Sequence, residues 1–147
     1  MNRILLIFLS IAFLACAEEE TQAQLRSIKY GSSFGECQGY CLTDIEITPV
    51  QITKVRYGWN NSVTPETTTL QFRNANFFDL ERKIDQQRFL DLEPVIGCPD
   101  CADGGSEWIE LEIDGRFKKV TIEYGTEISG INEILVELRG LNMTLSN

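Results

Sequence analysis

The sequence contains no histidine. Histidine is the commonest general base near neutral pH and the commonest metal ligand. Its absence weakens a hydrolase or metalloenzyme reading without excluding one. There is no polybasic run either. Thirteen Lys and Arg residues face 22 Asp and Glu, for a net charge of −9. Phosphate backbones and anionic lipid surfaces attract clustered positive charge. Nucleic acid is therefore not an expected partner. Bilayer-spanning length is missing as well, since a spanning helix needs roughly 20 apolar residues. The most apolar stretch, Ile4 to Phe13, is too short for that. What remains is ordinary: 43% hydrophobic and 24% charged residues support a packed core over a disordered chain. A length of 147 residues fits one domain.

The leader is the first positive feature. Met1-Asn2-Arg3 supplies a positive start to the Ile4–Phe13 run, which reads as a secretory signal peptide over 1–15. It ends in Phe13-Leu14-Ala15-Cys16. That ending resembles a bacterial lipobox, in which the cysteine is lipidated and becomes the mature N-terminus. Phe13 stands where leucine is usual. Ordinary cleavage at Ala15-Cys16-Ala17 is the rival reading. Residues 16–24 form an acidic tether opening with Glu18-Glu19-Glu20. This run resembles the export signals of Bacteroidetes-type surface lipoproteins, or it is simply a solvated spacer. The expected location is the cell envelope, lipid-anchored, at the outer membrane on its periplasmic side or at the cell surface.

Setting Cys16 aside leaves Cys37, Cys41, Cys98 and Cys101. An even number in an exported chain predicts two disulfides, with all three connectivities open. Two other uses compete. Cys98-Pro99-Asp100-Cys101 has the spacing of thiol oxidoreductases, but Asp100 and Asp103 would raise a thiol's pKa. Four sulfurs from a C-x3-C and a C-x2-C would suit tetrahedral zinc, against which an oxidising compartment argues. Asp100, Asp103 and Glu107 offer oxygens to calcium without a known loop spacing. No cofactor and no metal are called for.

Residues 25–147 read as a single α+β domain. Alternation predicts strands over Leu25–Tyr30, Cys41–Thr48, Val50–Trp59 and Glu66–Arg73. In the second strand Ile45 and Ile47 point inward, while Asp44 and Glu46 point outward. The apolar phase of the third changes between Ile52 and Val55, which predicts a bulge. Helical spacing then links Phe77, Leu80 and Ile84, capped by Asn74 or Asn76 and running to about Gln87. Ile109, Leu111 and Ile113 alternate into an Asp114-Gly115 turn, and Val120, Ile122 and Tyr124 return from it. Ser129 is placed to cap a last helix carrying Ile131, Ile134, Leu135 and Leu138 on one stripe. The order ββββαββα predicts a mainly antiparallel sheet of five to six strands with two helices on one face.

Ser32 to Cys41 and Gly97 to Gly105 carry most of the unusual residues. Phe34-Gly35-Glu36-Cys37-Gln38-Gly39-Tyr40-Cys41 resembles the opening of a family of uncharacterised bacterial exported proteins. In them a strand leads into a glycine-flanked C-x3-C segment with a nearby tyrosine, then paired strands and a helix. The segment from Cys98 to Trp108 resembles their acidic loop before a hairpin. The resemblance implies a fold and assigns no activity. Phe34, Tyr40, Trp59, Asp100 and Asp103 form the candidate binding surface, with Tyr57 and Trp108 nearby. Core packing is the competing use of those aromatics. Ser32 and Ser33 have no histidine base, and a Lys29 or Lys54 base has no support. The functional expectation is a non-enzymatic binding or envelope-interaction module with an envelope protein or glycan as partner. The alternative is a thiol-redox or metal-binding protein using the four cysteines. Lipidation gives the first test: Cys16→Ala should move the protein from the membrane to the soluble fraction, and continued membrane retention would refute the anchor.

Overall fold

The structure is a computed structural model and describes residues 23–145. The signal peptide, Cys16 and most of the tether lie outside the described residues. Seven strands and three helices follow one another: β1 (Leu25–Ser33), β2 (Leu42–Ile47), β3 (Gln51–Tyr57), β4 (Glu66–Gln71), α1 (Asn74–Glu81), α2 (Gln86–Leu90), β5 (Val95–Ile96), β6 (Ser106–Ile113), β7 (Arg116–Glu123) and α3 (Asn132–Thr144). The strands form one sheet in the order β4-β3-β2-β1-β6-β7-β5. Every pairing is antiparallel except the short β5–β7 contact. The α+β class and the mainly antiparallel sheet match the expectation, and α2 and β5 are additions to it.

Side-chain alternation decides which face is covered. Ile28 pairs with Ile47 and Leu111, and Tyr30 pairs with Ile45 and Ile109. These side chains are buried in one cluster with Phe77, Leu80 and Phe89, and with Ile131, Ile134, Leu135 and Leu138. The opposite face carries Lys29, Asp44, Glu46 and Glu110, joined by the Lys29–Glu46 and Lys29–Glu110 ion pairs at 3.5 and 3.7 Å. A sheet with one dry and one wet face is the usual antiparallel solution. The β6–β7 hairpin turns at Asp114 and Gly115, whose φ values are 51° and 74°. Two successive positive φ values match the strand twist, and Asp and Gly tolerate them.

Three local expectations need correction. β3 has no bulge and pairs residue for residue with β2 and β4. The phase change arises because Lys54 occupies an inward position and Val55 faces outward. The register shift lies instead in β1, between Leu25 and Ser27. Secondly, the helix from Phe77 stops at Glu81. Asp85 starts α2 by accepting a hydrogen bond from the Arg88 amide at 3.0 Å. A short acidic side chain competes for backbone amides, so it favours a cap over a helix interior. Finally, α1 follows Arg73 and α3 follows Ile131, neither with a side-chain cap. Asn74, Asn76 and Ser129 therefore do not cap these helices.

Two polar groups are buried under α3. Lys54, only 2% exposed, donates from Nζ to the carbonyl of Asn142 at 2.5 Å. A positive charge suits the carbonyl end of a helix. Burial lowers the Lys54 pKa, and the neighbouring Arg56 charge lowers it further. The second group is Glu107, 0% exposed. Arg139 grips it from α3, Nε donating at 3.1 Å and Nη2 at 2.5 Å. The Tyr30 hydroxyl donates to Glu107 at 2.8 Å and the Gly125 amide at 3.0 Å. The hydrogen bond to Glu107 raises the Arg139 pKa, so the guanidinium keeps its charge. Breaking one side of a buried ion pair costs about 3–5 kcal/mol. Arg139→Met should lose that much stability in urea unfolding, and Glu107→Gln/Arg139→Met should recover a large part. Equal loss in both would show that the ion pair does not organise the fold.

Candidate functional site

The loops that connect the strands at one end of the sheet build the site. β1 leaves the sheet at Ser33, and the Phe34 amide donates to the Cys41 carbonyl at 3.1 Å. The intervening loop is closed by a Cys37–Cys41 disulfide with Cα atoms 5.6 Å apart. The Cys41 amide then donates to the Tyr57 carbonyl at 3.1 Å, fixing this loop to the end of β3. In the second loop Cys98 and Cys101 form a disulfide with Cα atoms 5.4 Å apart. The Cys98 amide donates to the Glu123 carboxylate at 3.1 Å, and the Asp100 amide to the Gly105 carbonyl at 3.0 Å. Of the three possible connectivities, the two local pairs are the ones formed.

The loops meet at Phe34 and Gly35. A methyl group placed on Gly35 would lie 3.2 Å from the Asp100 carboxylate and 3.4 Å from that of Asp103. Gly105 has φ 85°, and a side chain there would strike the Phe34 ring at 2.6 Å. Glycine is required at Gly105 both by its backbone angle and by this approach. The Phe34 ring packs edge-on against Tyr124 with centroids 4.8 Å apart. Trp59, from the β3–β4 connection, donates its indole N–H to the Phe34 carbonyl at 2.8 Å. Tyr40 stands on the flank, stacked under Arg56 at 4.8 Å and donating its hydroxyl to the Thr64 carbonyl at 3.2 Å.

Four of the five candidate residues, Phe34, Trp59, Asp100 and Asp103, thus gather around one point. Trp59 is 39% exposed and Tyr40 43% exposed. Among the described residues, non-glycine positive φ values occur at Asn60, Asn61, Asp100, Ala102, Asp103 and Asp114. All but Asp114 belong to the connections at this end. Such backbone persists only where surrounding contacts hold it, and it clusters at functional surfaces. Tyr124 and Arg56 were not singled out from the sequence. Tyr124 alternates with Val120 and Ile122 and therefore looks like a core position, but β7 ends one residue before it.

Glu107 does not join Asp100 and Asp103, because it turns inward to Arg139. No group of three or more His, Cys, Asp or Glu side chains suited to a metal occurs among the described residues. The serines are also engaged elsewhere. Ser33 hydrogen-bonds Ser106 at 2.8 Å, and Ser32 accepts from Asn142 at 3.5 Å. What the arrangement offers is stacking surface and carboxylate acceptors on a cross-linked frame.

The wet face of the sheet is a second, shallower feature. Gly31 leaves room for the Trp108 ring, which lies where a side chain at Gly31 would be. Lys119 sits 4.7 Å from the centre of that ring. Beside it, Tyr57 donates its hydroxyl to Asp44 at 2.6 Å. The adjoining groove, about 360 Å³, is lined by Asp44, Val55, Trp108 and Lys119 among others. No family model matches the chain, and no curated protein matches it.

Burial first, and then the hydrogen bond and charge of Asp44, push the Tyr57 pKa up to about 12. A phenol with a raised folded pKa adds stability that is fully present below its ordinary value near 10. That contribution is lost as pH rises from about 10 to about 12, where the unfolded chain releases its proton first. Tyr57→Phe should flatten the fall of the urea midpoint across this window and leave the slope below pH 9 unchanged. An unchanged alkaline slope would show that Tyr57 does not carry it.

Proposed function

We propose that this protein is an exported, lipid-anchored domain that acts as a non-enzymatic binding module of the cell envelope. Its contact surface is the cross-linked end of the sheet. One observation carries the reading: two loops more than 50 positions apart in the chain, each closed by a disulfide, converge on Phe34-Gly35 with Trp59, Asp100 and Asp103. Binding sites favour loops displayed by a rigid scaffold. Exposed aromatic and carboxylate groups suit an envelope protein or a glycan, since they stack and accept hydrogen bonds. The resemblance to bacterial exported proteins supports the same setting and adds no activity.

A thiol-redox reading has one observation in its favour, the exposure of Cys98 and Cys101. The carboxylates of Asp100 and Asp103 work against a reactive thiolate there. The binding reading is tested by immobilising the protein and passing envelope extract over it. Trp59→Ala/Asp100→Asn/Asp103→Asn should reduce specific retention about tenfold, the loss of a small contact cluster. No retained protein or glycan, or equal retention by the variant, would overturn the proposal.

A further inference from the structure

Gly31 stands inside β1, the middle strand of the sheet. Glycine weakens a strand interior, so one found there marks a bulge or a close approach. No bulge occurs at this position, because Gly31 pairs in register with Asp44 of β2 and Trp108 of β6. Its φ is not positive either. What the missing side chain makes room for is the Trp108 indole, which lies where that side chain would begin. The ring therefore rests on the backbone of β1, on the wet face. Among the described residues the buried side chains of all three helices join the cluster on the opposite face. Trp108 is not part of that cluster and seals no core. It is half-buried, and the exposed Lys119 ammonium stands 4.7 Å from the ring centre. The groove of about 360 Å³ beside it has a mixed charged lining, Lys29 and Lys119 with Asp44, Glu46 and Glu110. Asp44 is held in place, its Oδ2 accepting from the Tyr57 hydroxyl at 2.6 Å.

We propose that this groove binds a neutral saccharide, one pyranose ring stacking on Trp108 and its hydroxyls reaching Asp44 and Glu110. The lining selects this chemistry over the others. Three carboxylates repel an anion, and two ammonium groups repel a cation. An apolar ligand would strip water from these charges without replacing its hydrogen bonds. A peptide strand has no edge to join, because β1, β2 and β6 are each paired on both sides. A hydroxyl both donates and accepts, so a ring of neutral hydroxyls satisfies carboxylate and ammonium alike. The negative π face of an indole suits the polarised C–H groups of a sugar ring, as it suits Lys119 now. Lys119 is on a flexible stem at the surface, so it swings aside as the sugar enters. Every residue lining the groove belongs to a strand and none to the cross-linked loops. Its occupancy is thus independent of the loop surface.

The test is a saturation-transfer NMR titration of the full-length chain, held in a detergent without a sugar head group. Cellopentaose, maltopentaose and mannopentaose are the neutral probes, and pentagalacturonic acid is the charged counterpart. At least one neutral probe should bind with a dissociation constant of about 10⁻³ M or tighter, the strength of a shallow site with one stacking ring. Trp108→Leu keeps an apolar cover over Gly31 but removes the π face, and should weaken that binding at least about tenfold. Asp44→Asn leaves the ring in place and should weaken it about threefold through the lost charged acceptor. Urea midpoints of both variants show whether they fold. Should Trp108→Leu unfold, Asp44→Asn decides alone. Failure of every neutral probe to bind, unchanged binding by a folded variant, or binding of pentagalacturonic acid as tight as that of the neutral probes would each overturn the proposal.

Discussion

A carboxylate that cannot reach water is the constraint on which this fold turns. Strand alternation puts Glu107 on the same face of β6 as Ile109 and Leu111, beneath α3. An unpaired charge there is prohibitively costly. The chain must therefore bring three donors to one point: Arg139 from α3, the Tyr30 hydroxyl from β1, and the Gly125 amide from the exit of β7. Arg139 also donates to the Thr126 carbonyl at 2.9 Å, so the connection leading to α3 is held by the same guanidinium. Four segments distant in sequence are thereby fixed relative to one another. Apolar packing alone tolerates sliding by a residue or a turn, whereas a bidentate ion pair does not.

This anchor also bears on the candidate site. Glu107 follows Gly105 and Ser106, where the second cross-linked loop re-enters the sheet. Gly125 follows Tyr124, which packs on Phe34. The loops are thus hung from a rigid point. The disulfides play a different part. Each closes a ring of only a few residues, and a crosslink restricts the unfolded chain less when the ring is short. A cross-loop connectivity would have been worth more in stability. The local pairs instead set the shape of each loop. The joining is left to Phe34, Gly35, Gly105 and the Trp59 indole.

The parts of the fold that were readable from sequence are those where a single local rule applies. The β6–β7 hairpin has strict alternation on both arms and an Asp-Gly turn between them. β2 shows Ile45 and Ile47 against Asp44 and Glu46. The rest failed where one residue served a distant partner. Lys54 looked outward by polarity, yet it meets the end of α3, and assuming otherwise created a false bulge. Glu107 looked like a member of the acidic loop because it is three residues from Gly104, but its partners lie 77 and 32 positions away. α2 is only five residues long and depends on the Asp85 cap, too little for periodicity to register. For the site, the grouping of Phe34, Trp59, Asp100 and Asp103 could be anticipated from residue type. The contacts that assemble it could not, since they use a backbone carbonyl and two glycines.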